Sequence, residues 1–197
     1  MKLMIASDIH GSMDWCRRLL EAKKEEQPDK LLLLGDLLYH GPRNALPDGY
    51  APQEVAAALN AEKKDLICVR GNCEAEVDQM MLEFPVLAEY ALLYTGSHVI
   101  FATHGHHFNI DALPCLQPGE ILLYGHTHVP LFEKKDGIYC VNPGSISIPK
   151  NGSAHSYLIL EGDTLTWKSL ESADGTPTAR TGKILGGTPQ KRFGEVS

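Results

Sequence analysis

The chain has 197 residues, of which 43% are hydrophobic, and this combination suits one globular domain with a substantial buried core. Its formal net charge of −7 argues against a basic face for a polyanion, so bulk binding of nucleic acid is not expected. No apolar run reaches the roughly 20 residues that span a bilayer, and no charged segment precedes a long apolar stretch at the N-terminus. We therefore predict a cytoplasmic protein with no membrane partner.

Cysteine usage points to the same compartment. The five cysteines are odd in number, widely scattered and free of any CxxC spacing: Cys16, Cys68, Cys73, Cys115 and Cys140. This pattern argues against a disulfide framework and against a structural zinc site. A reducing compartment fits it best.

Strands and helices alternate through the first half of the chain. A strand is predicted at Leu3 to Ser7, and a helix follows from the capping residue Ser12 to about Gln27. The next predicted elements are a strand at Lys30 to Leu34, a helix at Gln53 to Lys63, a strand at Leu66 to Val69 and a short helix at Glu76 to Phe84. Nearly continuous apolar strands between helices predict a parallel sheet that is buried on both faces.

After Pro85 the pattern changes to strand-rich hairpins. Turn residues separate paired runs at Tyr90 to Tyr94 with Val99 to Thr103, at Leu131 to Lys134 with Ile138 to Val141, and at Ser156 to Leu160 with Thr164 to Leu170. We predict that these hairpins form a mostly antiparallel or mixed sheet packed against the first one. The result is an α/β sandwich.

Two stretches lie outside the regular pattern. The loop from His40 to Pro52 is rich in Pro and Gly and is predicted to border the active site or a subunit contact; the alternative is a solvated connector. Residues 173–197 are rich in Gly, Thr, Pro and basic side chains, and they are predicted to be a flexible tail. A single domain is therefore expected over residues 1–172.

Metal-ligand residues follow the apolar runs in a fixed order. The motifs are Asp8-Ile9-His10, Gly35-Asp36, Gly71-Asn72, Thr103-His104-Gly105 and Gly125-His126-Thr127-His128. Because each motif follows a strand-like run, their side chains should meet at one end of a sheet, where α/β folds place their chemistry. In a strand, the spacing of Asp8 and His10 would point both side chains to one face.

Each motif taken alone has a bland alternative. Asp8 and His10 could be a surface pair at a strand end, Asp36 a cap and Asn72 a turn residue, and a lone strand histidine is usually structural. Together they predict a two-metal site, because a carboxylate such as Asp36 at the end of a buried strand is costly unless it binds cations, and bridging two of them would solve that problem. His106 and His107 lie nearby and are assigned a supporting or substrate-binding role.

In this order, and over most of residues 1 to 150, the motifs resemble those of the calcineurin-like metallophosphoesterase superfamily. More narrowly, the segments His40 to Asn44, Arg70 to Glu74 and Val141 to Ser145 look like those of small bacterial phosphodiesterases of the YfcE type. The resemblance implies a four-layer αββα sandwich, in which two packed mixed β-sheets are flanked by helices.

The resemblance also implies two divalent metal ions and their ligands. Asp8, His10 and His128 would bind one ion, and Asn72, His104 and His126 the other, with Asp36 bridging. Asp36, Asn72 and His104 are then the candidate catalytic residues, and the turn from Asn142 to Ser145 supports the site. Oxygen and imidazole ligands fit Mn²⁺, the metal that similar proteins commonly use, with Fe, Co, Ni or Zn as alternatives.

The activity that the resemblance implies is hydrolysis of a small phosphodiester by a hydroxide bridging two cations about 3.5–4 Å apart. Many relatives carry a leaving-group histidine after the Gly-Asn pair, but this chain has Cys73. We therefore predict a preference for acidic leaving groups, unless Cys73 is simply a small buried residue.

Other functions stay open at this stage. A phosphomonoesterase, a nucleotide phosphatase or a protein phosphatase of the same superfamily would carry the same motifs. A different class is a protein-binding scaffold like that of the retromer coat, whose metal site has lost ligands.

Arg43 and Arg70 are the arginines near the motifs, and either could be paired structurally. The resemblance also suggests a homodimer or homotetramer.

Overall fold

The structure is a computed structural model that describes residues 1–96, 98–171 and the backbone of 180–183. The helices are α1 (Met13–Glu26), α2 (Pro52–Ala61) and α3 (Glu76–Met81), with a 3₁₀ turn at Lys63–Asp65. The strands are β1 (Lys2–Ala6), β2 (Lys30–Leu33), β3 (Leu66–Cys68), β4 (Tyr90–Tyr94), β5 (Val99–Thr103), β6 (Ile121–Leu123), β7 (Leu131–Lys135), β8 (Ile138–Asn142), β9 (Ser156–Glu161), β10 (Thr164–Ser169) and β11 (Arg180–Lys183).

These boundaries lie close to the predicted ones because local sequence signals define them. The hydroxyl of Ser12 accepts a hydrogen bond from the backbone N–H of Trp15 at 3.4 Å, so it caps α1 as predicted. Helix α3 ends at Met81, before the predicted end at Phe84, because the backbone is already extended at Leu82, with φ of −102° and ψ of 126°.

The first sheet has the strand order β11-β10-β9-β1-β2-β3. Strands β1, β2 and β3 are parallel, as predicted, whereas β9 pairs antiparallel with β1. The hairpin of β9 and β10 was predicted to join the second sheet, and this prediction is wrong. Strand β9 carries apolar side chains on both faces, and a strand of that kind fits the middle of a sheet covered on both sides.

The second sheet has the strand order β4-β5-β6-β8-β7. Its three central strands, β5, β6 and β8, are parallel, and the antiparallel hairpin partners β4 and β7 form its edges. The sheet is therefore mixed rather than mostly antiparallel. Because the central strands are parallel, they end at the same edge of the sheet.

The two sheets pack face to face around an apolar core. Ile5 and Leu32 of the first sheet and Ile100 and Leu123 of the second belong to this buried cluster. The other face of the first sheet packs against α1 and α2, and the outer face of the second sheet contacts residues of the connection between β5 and β6. The predicted sandwich of two mixed sheets is confirmed, with an irregular segment over the second sheet.

Most of the predicted flexible tail, residues 173–197, lies outside the described residues. Within it the structure describes only the backbone of Arg180–Lys183, which pairs with β10 as strand β11. No strand was predicted there. In the part of the chain that the structure describes, no helix is both long and apolar enough to cross a membrane.

Candidate metal centre

The predicted ligand residues meet at the carboxyl ends of the parallel strands. In the first sheet, Asp8 and His10 follow β1, Asp36 follows β2 and Asn72 follows β3. In the second sheet, His104 follows β5, and His126 and His128 follow β6. The donor atoms therefore converge from both sheets on one edge of the sandwich.

One group of donor atoms is formed by Asp8, His10 and His128. The Oδ1 atom of Asp8 lies 3.1 Å from His128 Nε2 and 3.5 Å from His10 Nε2. The two Nε2 atoms are 3.2 Å apart. All three side chains are buried, so these atoms face one another in a small space away from bulk water.

A second group is formed by Asn72, His104 and His126. The Nε2 atom of His104 lies 3.1 Å from Asn72 Oδ1 and 3.2 Å from His126 Nδ1. His104 is buried, His126 is half-buried and Asn72 is exposed. This side of the site is therefore the one that is open to solvent.

Asp36 lies between the two groups. Its Oδ2 atom is 3.7 Å from His10 Nε2 and 3.5 Å from His104 Nε2. Its other oxygen, Oδ1, accepts a hydrogen bond from the backbone N–H of Cys73 at 2.9 Å. That hydrogen bond holds the carboxylate so that Oδ2 points toward both groups.

The histidine side chains fit metal ligation because their second nitrogens are bound to carbonyls. The Nδ1 atoms of His10, His104 and His128 lie 2.9, 2.7 and 2.7 Å from the backbone oxygens of Tyr39, Leu34 and Ile148. A carbonyl can only accept, so each Nδ1 carries a proton, and Nε2 is the nitrogen that faces the site and would offer its lone pair to a bound ion.

This arrangement leaves lone pairs facing one another. The Nε2 atoms of His10 and His128 are 3.2 Å apart, and Asp8 Oδ1 is buried with no hydrogen-bond partner among the described residues. Buried nitrogen and oxygen atoms whose lone pairs have no partner are costly unless a cation binds them. The residues present therefore fit a divalent metal ion.

The electrostatics of the site favour positive charge. Burial raises the pKa of Asp8, but the imidazoles of His10 and His128 that face it outweigh this effect and hold it well below the usual range. Burial lowers the pKa of His104, yet its hydrogen bond to Asp36 and the charge of Asp8 raise it to about 9. The carboxylates are therefore anionic and attract either protons or metal ions.

The backbone at the ligands differs from the prediction. Strand β1 ends at Ala6, so Asp8 and His10 do not share a strand face; they lie in a loop, with φ of 59° and 50°. Asp36, His126 and His128 also have positive φ, at 55°, 65° and 61°. Asp and His are among the residues that tolerate this left-handed conformation best. The loops, rather than the pleat of a strand, aim these side chains.

Glu74 is a supporting residue that was not predicted from the sequence. Its buried carboxylate accepts backbone N–H groups from Asp36 at 2.9 Å, from Leu37 at 2.7 Å and from Gly71. Burial and the charge of Asp36 raise the pKa of Glu74 to about 7. The sequence signal for this role was a carboxylate two residues after Asn72, because a turn leaves backbone N–H groups that a nearby carboxylate can accept.

Serine and asparagine side chains support the loop that carries Asp8. Ser145 Oγ and Ser147 Oγ donate to the backbone oxygen of Asp8 at 2.9 and 2.8 Å. Asn142 Nδ2 donates to the backbone oxygen of Gly125 at 2.7 Å. The segment from Asn142 to Ser145 thus supports the site as predicted, and Ser147 is an additional member that was missed.

The loop from His40 to Pro52 borders the site through its first residues. Tyr39, just before the loop, supplies the carbonyl that binds His10, and within the loop a Cβ atom added to Gly41 would lie 3.5 Å from Cys73 Sγ. Arg43 is exposed, whereas Arg70 is paired: its Nη1 lies 3.2 Å from Glu89 Oε1. Of the two arginines, Arg70 has the structural role.

Two mixed sheets with a buried cluster of carboxylate and imidazole donors at their carboxyl ends define the class, a metallophosphoesterase. The calcineurin-like phosphoesterase superfamily domain matches residues 1–165 of this chain. The chain belongs to that superfamily.

Similar proteins have been characterised. Phosphodiesterase YfcE of Escherichia coli strain K12 is 49% identical over 166 residues, which are 84% of this chain and 90% of that protein. The solved structure of E. coli YfcE, a phosphoesterase, superposes with a TM-score of 0.88 at 46% identity and covers 93% of this chain and 100% of that chain. Vacuolar protein sorting 29 from Cryptosporidium parvum shares the fold, with a TM-score of 0.61 at 20% identity over 92% of this chain and 96% of its own.

Proposed function

We propose that this protein is a cytoplasmic phosphodiesterase that hydrolyses small phosphodiesters with two divalent metal ions, Mn²⁺ being the first candidate. The observation that carries the proposal is the position of Asp36 Oδ2, 3.7 Å from His10 Nε2 and 3.5 Å from His104 Nε2. A carboxylate oxygen between two groups of donors is the arrangement that a shared ligand requires. The 49% identity to Phosphodiesterase YfcE supports a diester as the substrate class.

Each residue has a defined part in holding the ions. Asp8, His10 and His128 would hold one ion and Asn72, His104 and His126 the other, with Asp36 shared between them. When bound, the ions supply Lewis acidity that activates water and offsets the charge developing on the phosphoryl oxygens. The carbonyls behind the three Nδ1 atoms fix the imidazole orientations before any ion arrives.

The exposed side of the site is where a substrate would bind. Asn72 turns its Oδ1 toward His104 at 3.1 Å and its Nδ2 toward Cys73 Sγ at 3.2 Å. The amide N–H groups can donate to a phosphoryl oxygen while the carbonyl oxygen serves an ion. Cys73 is half-buried beside Asp36 and His10, at the position where many relatives have a histidine.

The experiment compares hydrolysis of bis(p-nitrophenyl) phosphate and p-nitrophenyl phosphate by metal-stripped protein, with and without Mn²⁺. We expect Mn²⁺-dependent cleavage of the diester and a loss of at least about 100-fold in kcat for Asp36→Asn, because the shared ligand loses its charge. Asp111→Asn is the matched control, since the side chain of Asp111 is 92% exposed.

The other outcomes separate the alternatives. Dominant cleavage of the monoester would replace the proposal with a phosphomonoesterase or nucleotide phosphatase of the same superfamily. No metal-dependent turnover of either ester would favour the protein-binding scaffold. Equal activity in Asp36→Asn and in Asp111→Asn would contradict the assignment of Asp36 as the shared ligand.

A further inference from the structure

A second cluster of metal-ligand side chains lies outside the seven predicted ligands. Glu89, His106 and His107 each bring one ligand atom within 4.8 Å of the others. Glu89 and His107 are exposed and His106 is half-buried, so an ion could enter from solvent. The ring centroid of His106 lies 5.4 Å from that of His104, which places the cluster beside the candidate metal centre.

Strand register explains why these residues meet. Tyr90 and Thr103 are paired at one end of the β4–β5 ladder, so Glu89 before β4 and the residues after β5 leave the sheet together. The hydroxyl of Thr103 donates to the backbone oxygen of Glu89 at 3.1 Å and ties the two segments. Strand pairing in the sheet, rather than a long free loop, therefore brings Glu89 close to His106 and His107.

The turn that presents the two histidines is also constrained. Gly105 has φ of +120°, and a Cβ atom added there would come within 3.0 Å of the Tyr124 ring. Asn109 Nδ2 donates to the backbone oxygen of Gly105 at 2.9 Å and closes the turn. These contacts fix the turn, in which the ring centroids of His106 and His107 lie 4.0 Å apart.

One ring nitrogen of His106 is unsatisfied within the described residues. Nδ1 of His106 is buried and has no hydrogen-bond partner there. A buried imidazole nitrogen without a partner is uncommon because its desolvation is not repaid by a bond. Glu89 accepts a hydrogen bond from Arg70 Nη1 at 3.2 Å through Oε1, and its carboxylate has a second oxygen for an additional ligand.

We propose that Glu89, His106 and His107 bind a third divalent transition-metal ion, of which Zn²⁺ is the representative. Two imidazoles and one carboxylate are the ligand types that Zn²⁺ and Co²⁺ accept, and three protein ligands leave a position open to water or to a phosphoryl oxygen. The site is defined by its own ligands, so its existence does not depend on the proposed hydrolysis.

The test uses Co²⁺ as a probe, because its visible absorption reports imidazole and carboxylate ligation and dialysis counts the bound ions. Metal-stripped wild-type protein is expected to bind three equivalents, and His107→Ala and Glu89→Gln two. The third equivalent should weaken at least about tenfold in each variant. Glu83→Gln is the matched control, since Glu83 is an exposed glutamate paired with Lys63, and it should bind three equivalents.

A further pair of variants separates this site from the candidate centre. In Asp36→Asn, which removes the charge of the ligand shared by both ions of the predicted binuclear centre, one Co²⁺ should still bind, and adding His107→Ala should remove it. The proposal is overturned if His107→Ala and Glu89→Gln bind as many ions as Glu83→Gln with unchanged affinity. It is also overturned if the wild-type protein binds no more Co²⁺ ions than His107→Ala does.

Discussion

Glu74 receives hydrogen bonds from the backbone of both loops that carry Asp36 and Asn72. Replacing it with Gln keeps the size of the side chain but exchanges one accepting oxygen for an NH₂ group, which faces an N–H donor of Gly71 or Leu37. We expect Glu74→Gln to lower the free energy of unfolding by about 1–3 kcal/mol, because a buried donor loses its partner. Urea denaturation of the metal-stripped protein measures this.

A second consequence of Glu74→Gln concerns the metal. Since the two loops would no longer be held at a fixed distance, the affinity for Mn²⁺ should fall about 10- to 100-fold, as it does when residues that orient ligands are removed. Glu76→Gln provides the control, because Glu76 is exposed in the first turn of α3. Unchanged stability and Mn²⁺ affinity in Glu74→Gln would show that the loops hold without this carboxylate.

We expect Cys73 to affect a different property, the dependence of the rate on the leaving group. A thiol is a weaker hydrogen-bond donor than a protonated imidazole, so we expect diesters with acidic leaving groups to react best in the wild-type protein. Our hypothesis is that Cys73→His flattens the plot of log kcat against leaving-group pKa for a series of aryl phosphodiesters. Cys115→His, at an exposed cysteine, is the control. Parallel plots for Cys73→His and wild type would refute the hypothesis.

At the scale of elements, Glu26 joins the end of α1 to two strands of the first sheet. Its carboxylate lies 2.9 Å from Lys2 Nζ of β1 and also pairs with Lys168 of β10. Partial burial raises the pKa of Glu26, but hydrogen bonds from Lys168 and Lys2 outweigh it and lower the pKa. The folded protein therefore favours the ionised carboxylate.

This shift predicts how stability depends on pH. Since the folded pKa is below the unfolded value of about 4.3, the contribution of Glu26 is present above that value and is lost as the pH falls through the folded pKa. At pH 7, Glu26→Gln should lower the free energy of unfolding by about 1–2 kcal/mol, and this difference should shrink at pH 3. Urea denaturation at both pH values measures it.

The control for Glu26 is an exposed ion pair of the same type. Glu83→Gln, which breaks the pair with Lys63, should change stability by less than about 0.5 kcal/mol at either pH. An effect of Glu26→Gln that is equal at pH 7 and pH 3 would mean that lost packing, and not the ionised carboxylate, is responsible.

The elements also show what the sequence could predict. Runs such as Lys30 to Leu34 and turns such as Asp136-Gly137 are local patterns, so most strands and helices were found within one or two residues. Strand pairing is not local: β9 has apolar residues on both faces, and nothing in its own sequence says that β1 is its neighbour. The left-handed backbone at Asp8 and His10 was missed because the loops that impose it are fixed by tertiary contacts such as Ser145 Oγ with Asp8 O.

At the scale of the whole molecule, both donor groups draw side chains from both sheets. Asp8 and His10 come from the first sheet and are joined by His128 of the second, while Asn72 of the first sheet is joined by His104 and His126. Ions bound there would link the two halves of the sandwich. Because the unfolded chain lacks this arrangement, metal binding should stabilise the native state.

We therefore expect Mn²⁺ to raise the melting temperature of the metal-stripped protein. At a concentration 100 times Kd, binding contributes about 2.7 kcal/mol, which for a chain of this size is a rise of about 5–11 °C. Differential scanning calorimetry with and without Mn²⁺ measures the rise, and a chelator should reverse it. Asp36→Asn should abolish most of the increase, whereas Asp111→Asn should keep it. An equal rise in both variants would mean that Mn²⁺ stabilises the protein at another site and that the two sheets are not linked through Asp36.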